Sequence, residues 1–221
     1  MTKLSRTKIE LFLQCPRCFW LDMHKVAKRP SGPPYTINLA IDLLLKREFD
    51  ECRVNNLEHW LIKKNKIKAR PFNCVEIDQW RRNFTGVQVE HRKTDFLVYG
   101  AVDDVWINPK KELIVVDYKA TGAKEYHIYD SYRRQMEIYQ WLLKKNGHKV
   151  SPTGYFLFAK ANKEQGFPEG RLTFDLAIEP LKGSTSWVEG TIVAARACYD
   201  RRTAPRAGAE CVYCPYVKKA T

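Results

Sequence analysis

The chain has no run of about 20 apolar residues, which argues against a membrane-spanning helix. Its start, Met-Thr-Lys-Leu-Ser-Arg-Thr-Lys, leads into a short amphipathic pattern without the apolar core of a secretory signal, so the expected setting is soluble and cytoplasmic. No internal repeat or low-complexity segment is present, which argues against a stacked-repeat architecture. Acid is also scarce. Asp and Glu number 25 against 38 Lys and Arg, giving a formal net charge of +13. Such a balance points to a polyanionic partner, above all nucleic acid, although anionic membranes and ribosomes attract basic chains too. The 44% hydrophobic content, with 12% aromatics, is ample for a core, and 221 residues are expected to form a single domain over 1–221.

The positive charge is spread along the chain. Lys63-Lys64-Asn65-Lys66-Ile67-Lys68, Arg81-Arg82, Arg133-Arg134, Lys144-Lys145 and Arg201-Arg202 recur with Trp60, Trp80, Tyr132 and Trp141 close by. Interleaved bases and rings suit single-stranded nucleic acid, where each base stacked on a ring is worth about 1–3 kcal/mol. The same pattern also describes core rings beside solvated charges.

One stretch concentrates chemistry. Between Gly100 and Lys119, two β-branched runs, Ala101 to Ile107 and Leu113 to Tyr118, flank Asn108-Pro109-Lys110-Lys111, whose Asn-Pro step disfavours helix and opens a turn. A β-hairpin is predicted. Alternation puts Asp103 on one face with Ala101, Val105 and Ile107, and Asp117 with Leu113, Val115 and Lys119. A carboxylate in so apolar a strand needs compensation. A divalent ion supplies it, since Mg²⁺ takes one or two carboxylates and keeps water and phosphate oxygens as its other ligands. Lys119 could then orient a water or offset charge growing on a phosphate. The plainer alternative is an exposed ion pair on an edge hairpin.

Gly-Ala-Val-Asp at 100–103, Asp-Tyr-Lys at 117–119 and Gln135-Met-Glu-Ile-Tyr139, in that order, resemble motif II, motif III and the Gln-x-x-x-Tyr motif of the PD-(D/E)XK nuclease superfamily. The likeness is to its RecB-like exonuclease branch, which includes the CRISPR adaptation nucleases and the RecB and AddB nuclease domains. The resemblance implies a restriction-endonuclease-like α/β fold with an αβββαβ core, a central mixed sheet and flanking helices. It also implies a Mg²⁺- or Mn²⁺-dependent nuclease acting on DNA, with Asp103 and Asp117 on the metal, Lys119 on the water, and Gln135 with Tyr139 supporting the site or gripping DNA. Single strands or DNA ends are the expected substrate. Recombination, repair and CRISPR partners stay open.

The pattern along the chain agrees with this order. Helices are predicted over 4–22, with Thr7-x-x-Glu10 as a capping box, and over 36–54, with Ile37, Ala40, Ile41, Leu44, Leu45 and Phe49 as its apolar stripe. A basic helical insertion over 55–84 carries two short helices, a strand follows at 87–91, and a helix over 129–146 stops at Gly147. Two strands, 153–159 and 171–178, and a helix over 184–201 complete the order. One departure stands out. The second helix should carry a Gly-x-x-x-His motif, but Asn38 and Asp42 stand at those places, which makes Asp42 the expected third metal ligand, with Glu48 and Asp50 as alternatives. The missing histidine keeps a second reading open, a non-catalytic nucleic-acid-binding protein on a nuclease fold. Glu90 resembles a glutamate often found before the hairpin in this branch.

Of seven cysteines, Cys15 and Cys18 near the start and Cys211 and Cys214 near the end form two Cys-x-x-Cys pairs, whereas Cys52, Cys74 and Cys198 stand alone. Paired knuckles in an intracellular chain mean metal far more often than disulfide. Four thiolates suit tetrahedral zinc or an iron–sulfur cluster. The resemblance implies a [4Fe-4S] cluster clamping the terminal segments 1–22 and 205–221. In the family, however, one such cysteine is N-terminal and three are C-terminal, and the two-and-two split here keeps Zn²⁺ as the alternative. A basic zinc-binding scaffold is then a third reading.

Overall fold

A computed structural model describes residues 1–30, 32 and 35–215. Ser31, Pro33 and Pro34 of the expected loop, and residues 216–221 of the expected clamp segment, lie outside the described residues. In chain order the elements are β1 (Thr2–Ser5), α1 (Arg6–Gln14), α2 (Pro16–Met23), α3 (Thr36–Val54), α4 (Trp60–Lys64), β2 (Arg70–Pro71), α5 (Ile77–Trp80) and β3 (Val87–His91). There follow β4 (Phe96–Gly100), β5 (Asp104–Ile107), β6 (Leu113–Thr121), α6 (Asp130–Lys145), β7 (Thr153–Ala161), β8 (Phe174–Lys182) and α7 (Ser186–Tyr199). They pack as two compact units.

The larger unit is built on a mixed five-stranded sheet in the order β2-β5-β6-β7-β8. The predicted hairpin is its centre: β5 and β6 are antiparallel, with Asp104 opposite Val116 and Ile107 opposite Leu113. Asn108 closes the turn as its Oδ1 accepts from the Glu112 N–H at 2.9 Å, and Lys111 takes the left-handed conformation at φ 58°. The first strand is shorter than expected, because Asp103 lies in a bend ahead of β5. β7 runs parallel to β6, reached through α6 in the βαβ manner, and β8 returns antiparallel.

Alternation along β6 divides the core. Ile114, Val116 and Tyr118 pack with Ile41, Leu45 and Phe49 of α3. These helix residues form the narrow i, i+4, i+8 seam of the predicted stripe, whereas Ile37 and Leu44, also placed on it, are exposed. α6 covers the other face, where Gly154 admits the Met136 sulfur that a Cβ would displace. α6 ends as expected: Gly147 is left-handed at φ 84°, and its N–H donates to the Lys144 carbonyl at 3.0 Å. The segment 55–84 holds the two short helices, but it is less peripheral than an insertion. Leu61 and Ile62 enter the core, and Arg70–Pro71 adds the edge strand β2.

The smaller unit carries a three-stranded sheet, β1-β4-β3, with β1 parallel to β4, together with α1, α2 and α7. The single helix predicted over 4–22 is instead a strand and two helices. Pro16 has no N–H and its ring clashes with a preceding helical turn, so Cys15 becomes extended at φ −160° and α2 starts afresh. Ser5 takes the cap predicted for Thr7, its Oγ accepting the Lys8 N–H at 3.2 Å.

Candidate active site and four-cysteine centre

On β6, Asp117 lies on the face toward α6 and is fully buried. A carboxylate at that depth is tolerable only with hydrogen bonds and a counter-charge. Gln135 Nε2 donates to Asp117 Oδ1 at 2.7 Å, and the Lys119 ammonium pairs with Oδ2. The same amide accepts from Lys119 Nζ at 3.4 Å through Oε1 and lies 3.2 Å from Tyr139 Oη through Nε2. One glutamine thus fixes both members of the ion pair. Gln135 and Tyr139 are one helical turn apart, and Gly100 makes room for the tyrosine, since a Cβ there would sit 2.7 Å from Tyr139 Cε1. The glycine, aspartate, lysine, glutamine and tyrosine of the three sequence motifs are therefore one packed arrangement.

Burial disfavours the Lys119 ammonium, but Asp117 and Asp103 outweigh it and hold its pKa above the usual lysine value. The ammonium also lies 4.7 Å from the centroid of the Tyr132 ring. Asp103 is oriented by the Tyr118 N–H, which donates to its Oδ2 at 2.9 Å. Its Oδ1 lies 3.9 Å from Lys46 Nζ, which is itself 2.7 Å from Asp42 Oδ2 on the same helix. Burial, and next the charge of Asp103, push the Asp42 carboxyl above its usual range against the pull of Lys46. Two carboxylates repelling each other are oxygen donors that a hard divalent cation would stabilise, so the donor chemistry of Asp42 and Asp103 suits Mg²⁺ or Mn²⁺.

Of the alternatives to Asp42, Asp50 is engaged by Arg53 and Arg81, and Glu48 accepts from Trp60 Nε1 at 2.9 Å. Among the described residues, the one set of three or more His, Cys, Asp or Glu with all ligand atoms within 4.8 Å of one another is the four cysteines. The three aspartates, interleaved with Lys46 and Lys119, do not form such a set.

Sequence reasoning passed over Asp104, which is fully buried one residue from Asp103. It pairs with Arg53, lies 3.0 Å from Arg81 Nη2, and accepts from Tyr118 Oη at 2.8 Å and Trp106 Nε1 at 3.2 Å. Arg81 Nε also donates to the Asp103 carbonyl at 3.0 Å, so this network anchors the backbone that presents Asp103. A signal existed. Arg53 continues the buried 41, 45, 49 stripe of α3, and an arginine on such a stripe requires a buried acid. Lys46, one turn after Asp42, was missed for want of any motif.

The rings proposed for base stacking divide. Trp60 is about half exposed beside exposed Lys63 and Lys64, whereas Trp80 and Trp141 are buried and unavailable to a base. Glu90 is exposed on β3 in the smaller unit.

In that unit the four predicted cysteines converge. Sγ–Sγ distances are 3.8 Å for Cys15–Cys214, 3.6 Å for Cys18–Cys211 and 3.5 Å for Cys18–Cys214. The break at Pro16 creates half of this centre, because extended Cys15 caps α2 through sulfur, accepting the Cys18 N–H at 3.4 Å. Burial raises the Cys211 thiol, but N–H groups and neighbouring sulfurs bring it down to about 6. Burial and the other three thiols push Cys214 up. Cys52, Cys74 and Cys198 stay outside the set.

A family model described as the PD-(D/E)XK nuclease superfamily matches residues 22–218. The crystal structure of SSO0001 is similar over 98% of this chain and 84% of that one, at 15% identity and a TM-score of 0.50. That likeness bears on the fold. A candidate exonuclease from Eubacterium rectale is similar over 97% of this chain and 88% of that one, at 12% identity and a TM-score of 0.46. No curated protein matches.

Proposed function

The chain belongs to the PD-(D/E)XK nuclease superfamily, and from that premise we propose that it is a Mg²⁺- or Mn²⁺-dependent nuclease that hydrolyses DNA phosphodiester bonds. The family match runs across both compact units, which supports reading 1–221 as one nuclease domain with the cysteine centre as its structural clamp. The observation that carries the reading is the hydrogen-bonded row from Asp117 through Lys119 and Gln135 to Tyr139, with Asp103 in the bend that leads into the adjoining strand.

In this reading Asp103, Asp117 and Asp42 would hold the metal, whose chemistry would be to polarise a phosphate oxygen and acidify a water. Lys119, kept cationic by Asp117 and Asp103, orients the attacking water or offsets charge on the phosphate. Gln135 holds Asp117 and Lys119 in place, and Tyr139 holds Gln135. Lys46 bridges Asp42 and Asp103 and would compete with a metal for both carboxylates. Basic charge with exposed Trp60 favours single strands or frayed ends, and the resemblance of the three motifs to the RecB-like branch favours an exonuclease mode.

The test is incubation of pure protein with labelled linear DNA and Mg²⁺ or Mn²⁺, with EDTA as control. Metal-dependent degradation, lost in Asp117→Ala and Lys119→Ala, is expected. Tight DNA binding without cleavage under either ion would instead establish the non-catalytic binding protein that the absent motif I histidine suggests.

A further inference from the structure

We infer that the four-cysteine centre holds a single tetrahedral ion of the zinc type and not an iron–sulfur cluster. The two possibilities demand different spacings of the ligand sulfurs. Four thiolates about 2.3 Å from one Zn²⁺ stand at the corners of a tetrahedron with edges of about 3.8 Å. A four-iron cubane carries its cysteines on the outside, roughly 6 Å apart, and a two-iron cluster needs two close pairs separated by a similar distance.

The observed edges of 3.5, 3.6 and 3.8 Å match the single ion. All four sulfurs lie within 4.8 Å of one another, so no division into two distant pairs exists either. A cubane would require each of these three edges to open by roughly 2 Å. The surroundings resist that. Cys15 Sγ accepts N–H groups from Cys18 and Gly208 at 3.4 and 3.2 Å, so it is tied to both terminal segments. Gly208 also lies against Gln14 and Cys15, where a Cβ would meet the Gln14 carbonyl.

Charge fits as well. One Zn²⁺ with four thiolates carries a net charge of −2, which at a mostly buried site calls for donors and a cation. Arg29 provides the cation: its Nη2 donates to Cys211 Sγ at 3.4 Å, Nη1 donates to Gln14 Oε1 at 2.8 Å, and the guanidinium lies 4.6 Å from the Tyr213 ring centroid. No redox step is involved. Binding exchanges the thiol protons for the ion, and the clamp joins segments about 190 residues apart in sequence, so the binding free energy adds to folding free energy.

The experiment is elemental analysis and absorption spectroscopy of the full chain purified anaerobically, followed by Co²⁺ exchange. About one zinc per chain, colourless protein, and the thiolate charge-transfer and d–d bands of tetrahedral CoS₄ after exchange are expected. Cys211→Ser and Cys18→Ser should lose those bands, Cys52→Ser and Cys198→Ser should keep them, and Arg29→Gln should release Co²⁺ to a chelator faster. Brown protein with iron and acid-labile sulfide would overturn the inference. So would protein free of metal that takes up no Co²⁺, since the sulfurs would then be packed thiols. Asp117→Ala should retain the zinc, so this result stands or falls apart from the nuclease reading.

Discussion

Gln135 offers the sharpest test of the site, because one amide contacts Asp117, Lys119 and Tyr139. In Gln135→Leu the side chain is one atom shorter and donates nothing. Asp117 then loses its 2.7 Å donor while staying fully buried and paired with Lys119. A hydrogen bond to a charged group is worth about 1.5–3 kcal/mol. If that bond holds Asp117 in its working orientation, kcat/KM on linear DNA should fall roughly 10- to 150-fold, at about 1.4 kcal/mol per factor of ten. The Lys119 contact, at 3.4 Å, adds little. Tyr139→Phe, which removes the 3.2 Å contact, should cost about 0.5–1.5 kcal/mol. The double variant should be no worse than Gln135→Leu, because the tyrosine acts through the glutamine. Single-turnover cleavage at saturating Mg²⁺ measures these losses, and urea melts keep stability separate. A Gln135→Leu enzyme within twofold of wild type, beside an inactive Asp117→Ala, would refute the reasoning.

Lys46→Met should tighten Mn²⁺ binding roughly 5- to 30-fold, as relief of about 1–2 kcal/mol of competition at Asp42 and Asp103; calorimetric titration with unchanged affinity would show that Lys46 does not compete. Gly100→Ala should cost about 1–3 kcal/mol by overpacking against Tyr139, read as a lower urea midpoint together with a loss of activity. The buried His59 stacks on Phe49 at 3.9 Å, accepts the Leu61 N–H through Nδ1, and has its pKa lowered by burial despite Glu48. Below the unfolded value of about 6.5 the unfolded chain takes the proton first, so stability should fall as pH drops through about 6.5 and below. His59→Asn, which keeps the cap acceptor but does not titrate, should flatten that part of the profile.

What the sequence made legible follows from how local each signal is. Alternation in Leu113 to Lys119 and the Asn-Pro turn set the hairpin, because both act within a few residues. The motif residues could be read as one site because their types and order are constrained together, even though Gly100 and Tyr139 are 39 positions apart. The split of the N-terminal helix was legible in Pro16 and was overridden by the apolar stripe before it. Asp104 was harder. Its partners Arg53 and Arg81 come from two other segments, and although the α3 stripe marks Arg53 as buried, nothing local says which acid it meets.

The same distinction explains why two adjacent aspartates have opposite fates. Asp104 opens β5 whereas Asp103 lies in the bend ahead of it, and the two side chains go to different surroundings. Asp104 turns inward to Arg53, Arg81, Tyr118 and Trp106, a network in which its charge is fully matched. Asp103 turns outward toward Lys46 and the Tyr118 N–H, and about a quarter of its side chain stays accessible. Tyr118 touches both, by its hydroxyl on one side and its backbone N–H on the other. A buried, over-determined acid beside a reachable one is what a metal-dependent site needs: the first fixes the backbone, and the second remains free to change partners. Removing one partner of the buried acid should therefore damage folding first. Arg81→Leu leaves Asp50 and Asp104 undercompensated and should cost about 3–5 kcal/mol of stability. Asp103→Asn, in contrast, should abolish metal binding with little change in the urea midpoint. Equal destabilisation by the two substitutions would show that both aspartates serve the fold alone.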